Sequence, residues 1–242
     1  MAIDKGLGFI RNINLSWLDA AAEARLRNKD IQSMREELNR YLDAEISGNE
    51  SRRKTIDVLV SIWHRNMEID SELFSQALDF FPKLQYGERI WLHYGLTLMY
   101  YPFFRQTASI IGQFARTGES FTRASIKDRL ASELGHLGSL NRAAERVVAS
   151  LLNWGALAHQ KKGNTYIPQL QIFKTDNMNL QAWLLACALF SHPSTQLPFS
   201  DLIRLPELFP MLLSVNLDLL RKNPRFKYQR QGMWDMVGKK TQ

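Results

Sequence analysis

Between Ser120 and Pro168 two short helical patterns are followed at once by a strand, a basic turn and another strand, an order that constrains the fold more than any other feature of the chain. The first pattern opens at Phe121 and Thr122, where a hydroxyl can cap free backbone N–H groups, and continues through Ile126, Lys127, Arg129, Leu130 and Leu134 with apolar residues four apart. Gly135 and Gly138 stop it. The second begins near Ser139 and sets Leu140, Ala144, Val147, Val148, Leu151 and Leu152 on one face, with Asn141, Arg142, Glu145, Arg146 and Ala149 on the other. Gly155 stands where a left-handed helix cap is cheapest. Ala156–His159 and Thr165–Pro168 then flank Gln160-Lys161-Lys162-Gly163-Asn164, whose Gly-Asn pair predicts a hairpin with lysines at its tip.

On these residues the stretch resembles the winged helix-turn-helix family, a likeness of order and spacing that covers about a fifth of the chain. The resemblance implies that the helix from Leu140 to Trp154 is a recognition helix and that Lys161 and Lys162 belong to a wing. Winged helices also serve as protein–protein modules, so the motif leaves both kinds of partner open.

The expected fold class is mainly α: an N-terminal helical domain over residues 1–117, a winged helix over 118–170, and a C-terminal unit over 171–242 made of helices and a β-hairpin. From Ser16 to Ile46 one long pattern, with Ser16 and Asp19 placed as a capping box, sets Trp17, Ala20, Ala24, Ile31, Met34, Leu38 and Tyr41 on a nearly heptad seam interrupted by Arg27. That helix either packs on its own domain or docks a partner. Ser51–Met67 and Ser71–Phe81 follow as amphipathic helices, and the aromatic-rich stretch from Glu88 to Thr117 predicts a central helix pair kinked at Pro102. Its many aromatics recur on several faces, which favours buried packing over base stacking.

The tail repeats this order: helices at Asn179–Ser191, Pro198–Leu208 and Met211–Lys222, then a hairpin formed by 226–230, a Gln231-Gly232 turn and 233–237. It resembles a second, diverged winged helix, which implies that Arg221, Lys222, Arg225, Lys227 and Arg230 are further DNA contacts; the alternative is a helix-plus-hairpin cap on the core.

Net charge is +7, and it is clustered. Residues 120–165 hold seven basic and three acidic side chains, and 221–242 hold seven basic and one acidic. Clusters of this kind suit a surface that meets phosphates, because each neutralised phosphate releases condensed counterions. A single cysteine, Cys187, rules out an internal disulfide and fits a reducing cytoplasm; its apolar surroundings, Leu180–Phe190, are about half the length of a membrane span. Without a long apolar run near the start, no signal peptide is expected.

No phosphate-cradling glycine loop is present. The five histidines are scattered, so neither a metal site nor a cofactor is expected, and His93 reads as a hydrogen-bonded core residue. No enzyme activity is expected. The function expected is double-stranded DNA binding, as a regulator or an accessory protein. Asn141, Arg142 and Arg146 would face the major groove, Arg123, Ser125 and Lys127 the phosphates, and Lys161, Lys162, Lys227 and Arg230 phosphates or the minor groove. A two-fold dimer would match a palindromic site. The competing expectation is a protein-interaction adaptor that docks through residues 16–46. The layout is also similar to small DNA-binding accessory proteins of bacterial phage-defence islands such as BREX systems.

Overall fold

A computed structural model of the chain describes residues 9–135, 139–160 and 164–240. The described fold is mainly helical, with two three-stranded antiparallel sheets. The N-terminal part contains α1 (Leu15–Arg27), α2 (Ile31–Asp43), α3 (Asn49–Val60), a π turn at Ser61–Arg65, α4 (Asn66–Ile69) and α5 (Ser71–Phe80).

The long helix expected over 16–46 is two helices. Interrupted by Arg27, its heptad seam resumes at Ile31 beyond Asn28-Lys29-Asp30, but two side chains end one helix and start the next. Asn28 donates its amide to the Ala24 carbonyl at 2.9 Å, and the Asp30 carboxylate accepts from Ser33 N–H at 2.8 Å, a strong N-cap. The expected capping box at Ser16 and Asp19 is absent: Asn14 is the N-cap residue, and Asp19 is buried in the core. With Ala24, Met34 and Leu38 buried, most of this seam packs within the fold, with Leu26 and Tyr41 of the same stretch exposed.

At the centre lies α6 (Arg89–Tyr100), whose residues from Ile90 to Met99 are all buried. Tyr101 breaks the chain and Pro102 opens α7 (Pro102–Thr117), so the expected kink is a junction between two helices. The partner of α6 in the core is α10 (Met178–Ser191), buried from Leu180 to Leu189. Gly95 permits this close approach, since a Cβ there would lie 2.6 Å from the Trp183 ring. A polar chain crosses the core: Trp63 Nε1 donates to His93 Nδ1 at 3.0 Å, and His93 Nε2 lies 3.1 Å from Asp19 Oδ1. Because Nδ1 accepts, the ring is the neutral Nε2–H tautomer donating to the carboxylate. Burial pushes the His93 pKa down against the pull of Asp19.

After α7 come β1 (Phe121–Thr122), α8 (Arg123–Leu134), α9 (Leu140–Asn153), β2 (Leu157–His159) and β3 (Thr165–Pro168), and β3 lies between the other two strands. After α10 come β4 (Gln196–Pro198), α11 (Phe199–Leu202), a 3-10 turn at Pro206–Leu208, α12 (Leu217–Lys222), β5 (Phe226–Gln231) and β6 (Trp234–Lys239). Here β6 is the central strand. Both segments thus follow one plan, helix–strand–helix–helix–strand–strand, with the last strand between the other two. The expected helices at 198–208 and 211–222 are shorter than their apolar patterns, because Pro206 interrupts the first and the Asn216 side chain caps the second late, accepting from Leu219 N–H at 2.9 Å.

The two segments are locked together at α7, where a Cβ on Gly112 would sit 1.8 Å from the Pro206 carbonyl oxygen. Arg105 of α7 pairs with the buried Glu207 at 3.3 Å, and Tyr94 donates to the Glu207 carbonyl at 2.6 Å. One continuous apolar core runs from Phe9 to Val237. Cys187 lies inside it, and burial raises its thiol pKa well above the ordinary value, away from reactive thiolate character.

Candidate nucleic-acid interface

The start of α8 is built by local chemistry. Thr122 Oγ1 accepts from Ser125 N–H at 3.1 Å while Ser125 Oγ accepts from Thr122 N–H at 3.0 Å, so each satisfies a backbone donor of the other. Ser125, an expected phosphate contact, is occupied here as half of a capping box. Gly135 at φ 79° ends the helix. His136, Leu137 and Gly138 lie outside the described residues, as do the expected wing residues Lys161 and Lys162 with Gly163.

The short sheet ties α8 to the hairpin. Tyr166 of β3 pairs with both Phe121 and His159, and its ring lies 5.6 Å and 5.1 Å from theirs. Arg123 places its guanidinium 5.7 Å above the Tyr166 ring, so this exposed cation is steered by the sheet.

On α9 the expected face is buried at Leu140, Ala144, Val147, Val148 and Leu151; Leu152 is half-buried, and Ala143, which was not assigned to that face, is buried with it. Asn141, Arg142 and Glu145 are exposed on the opposite side. Asn141 and Glu145 line a shallow depression of about 230 Å³ whose other wall is Arg123, Ala124 and Lys127 of α8. Arg123, Lys127 and Asn141, far apart in sequence, are therefore brought to one site. Among the described residues, neither these two cations nor Arg142 is paired with a carboxylate.

The other edge of α9 is covered by residues 12–15. Ser150 Oγ accepts from Ile13 N–H at 2.8 Å, Asn153 Oδ1 from Leu15 N–H at 2.8 Å, and Trp154 Nε1 donates to the Ile13 carbonyl at 2.8 Å. Arg146 donates to Asn12 Oδ1 at 3.2 Å and is partly buried, so it stands at the rim of the open surface.

In the C-terminal segment the expected cations divide. Arg225 pairs with Glu72 of α5 at 2.8 Å with only 10% of its side chain exposed, which makes it an anchor for the hairpin. Arg221 donates to the Tyr228 hydroxyl at 2.7 Å and lies 3.3 Å from both Asp218 and Asp235. Tyr228 in turn donates to Asp235 at 2.6 Å; that hydrogen bond and the Arg221 charge hold the Asp235 carboxyl below its ordinary pKa. These two arginines, expected as DNA contacts, are committed to internal partners. Lys222 lines a broad groove between α5 and α12, and Lys227 and Arg230 are exposed on β5.

Sequence reasoning passed over Arg129, exposed on α8 with its guanidinium 4.1 Å from the Phe114 ring centre, and the exposed pair Met233 and Trp234 at the hairpin tip. The hairpin turn is Gly232-Met233, one residue later than the expected Gln231-Gly232, because Gln231 still pairs with Trp234.

No helix among the described residues is long and apolar enough to cross a membrane, and none of their His, Cys, Asp and Glu side chains cluster in threes as a metal site requires. No family model matches the chain, and comparison with curated proteins and with solved structures gave no significant match.

Proposed function

We propose that residues 102–168 form a winged helix-turn-helix that binds double-stranded DNA, and that residues 178–239 are a second, diverged copy of the same unit. The observation that carries this reading is the clustering of Arg123, Lys127 and Asn141 around one depression, with Arg142 exposed on the same helix and without a carboxylate partner among the described residues. The strand order supports it, because a helix–strand–helix–helix–strand–strand plan with the last strand central is what a winged helix requires. Arg142 and Asn141 would read base edges, with Arg suited to guanine and Asn to adenine. Arg123 and Lys127 would sit on phosphates, contributing affinity that is blind to sequence. Glu145, exposed between them, disfavours phosphate at its own position and suits a cytosine amino group. Transcription control and service as an accessory subunit of a phage-defence system both draw on such binding.

The test is a fluorescence-anisotropy titration of a labelled duplex at several salt concentrations. Arg123→Ala with Lys127→Ala is expected to weaken binding to all duplexes and to reduce the salt slope by about 2, roughly one per lost phosphate contact. Arg142→Ala is expected to cost about 1–3 kcal/mol and to change base preference. Wild-type protein that leaves the duplex unbound at low salt would refute the reading.

A second reading is an adaptor subunit. The exposed apolar side chains of Ile167, Leu170 and Ile172, which follow one another along and beyond β3, favour it. Its mark would be a stable protein complex lost on Ile167→Ser with Ile172→Ser while duplex affinity is unchanged.

A further inference from the structure

The β5–β6 hairpin buries Phe226 and Val237 in the core but carries two more large apolar residues at its far end. Met233 is 89% exposed and Trp234 56%, although the rest of the hairpin is fastened at every level. Six residue pairs link its strands, from Phe226 opposite Lys239 to Gln231 opposite Trp234. At its base Arg225 holds Glu72, and Lys239 Nζ donates to the carbonyls of Phe190 and His192 at 2.8 and 3.2 Å. Midway, the Arg221 guanidinium lies 4.3 Å from the Tyr228 ring and clamps Asp235 on the inner face. The hairpin is thus a stiff arm with an apolar tip.

Alternation places Lys227, Gln229 and Gln231 on the outer face with Trp234 and Met236 opposite them. Lys227 is exposed on this face nearer the base, and Arg230, opposite Asp235, is exposed on the other face one pair below the tip. An arm with an exposed cation on each face and an apolar tip suits a polyanion that also offers flat apolar surfaces and hydrogen-bonding edges. An apolar protein groove would strip water from the lysine and both glutamines without replacing it.

We propose that this hairpin is a wedge: Trp234 and Met233 enter the minor groove of a DNA duplex and part a base step, while Lys227 and Arg230 sit on the flanking phosphates. The proposal rests on the DNA-binding reading and adds to it a bent product. Inserted apolar side chains unstack a step and kink the duplex, and the lost stacking is offset by the protein surface the bend brings into contact.

The experiment uses the full chain and a short duplex labelled at both ends, so that energy transfer reports bending and anisotropy reports affinity. Met233→Ser with Trp234→Ala is expected to lower affinity about tenfold, within the range measured for one stacked aromatic, and to abolish the change in transfer. The salt slope stays as in the wild type, because no cation is removed. Trp234→Phe alone keeps a flat ring and is expected to retain most of the bend; since it restores function at the same site, a folding defect would not imitate the result. If the double variant binds and bends the duplex like wild type while Lys127→Ala with Arg142→Ala does not bind, the wedge is wrong and the DNA-binding reading stands. If wild type binds no duplex, both fall. Should the double variant instead lose binding to anionic phospholipid vesicles, or lose self-association, with its duplex behaviour intact, the tip is a lipid or protein contact and the proposal is overturned.

Discussion

Replacing Gly112 by alanine separates local helix preference from tertiary packing, because the two predict opposite signs. In the interior of α7 alanine is favoured over glycine by about 1 kcal/mol, so an uncontested helix would be stabilised. Here the added methyl would meet the Pro206 carbonyl oxygen at 1.8 Å, its carbon at 2.5 Å and its Cα at 3.0 Å, all backbone atoms that no rotamer change can move away. Forcing a methyl into a packed site costs about 1–3 kcal/mol, and this contact belongs at the upper end. The net expectation is a loss of about 2 kcal/mol. For a chain of this size that lowers the melting temperature by roughly 4–8 °C. Differential scanning calorimetry with urea denaturation measures it, and Gly87→Ala is the control, because a Cβ there meets nothing within 4 Å. An α7 variant G112A as stable as the wild type, or more so, would refute the close seam between the two segments.

The other expectations concern the supports of the same surface. Ser150→Ala leaves the buried Ile13 N–H without its acceptor and should cost about 1–3 kcal/mol, with faster hydrogen exchange at the Ile13 amide. Arg225→Ala removes the anchor to Glu72 and should lower stability by about 1 kcal/mol or more, seen in urea denaturation, while leaving the salt slope for DNA unchanged. His93 is held neutral by burial, and burial also lowers His64 and His192, so the unfolded chain binds these protons more readily than the folded one. Stability should therefore be level above the unfolded histidine pKa of about 6.5 and fall as pH drops below it. His93→Gln should flatten that fall in a series of urea midpoints.

Features set by neighbouring residues were legible in the sequence. Thr122 caps the helix it precedes, Gly135 and Gly155 adopt the positive φ expected at helix ends, and the paired strands at 157–159 and 165–168 form where alternation places them, while the second hairpin forms with its turn one residue later than expected. Most of the buried face of α9, Leu140, Ala144, Val147, Val148 and Leu151, follows from its periodicity. What escaped depends on contacts between distant residues. The partner of Arg225 is 153 residues away, and the strip covering one edge of α9 is held by bonds spanning 134 to 141 residues. A cation inside an ion pair and a cation open to solvent look alike in a sequence, so Arg221 and Arg225 were indistinguishable from Lys227 and Arg230. The broken helix at Asn28–Asp30 has another cause: the seam is a tertiary signal, and it continues across a break that two capping side chains impose locally.

The central claim, that the open face of α8 and α9 meets DNA, is tested most directly by amide chemical-shift mapping during titration with a short duplex. The account predicts that the shifts cluster at Arg123–Lys127 and at Asn141–Glu145, with the backbone of α6 and α10 unmoved. Shifts that bypass both clusters while the duplex is bound elsewhere, or a spectrum unchanged by duplex at low salt, would contradict it.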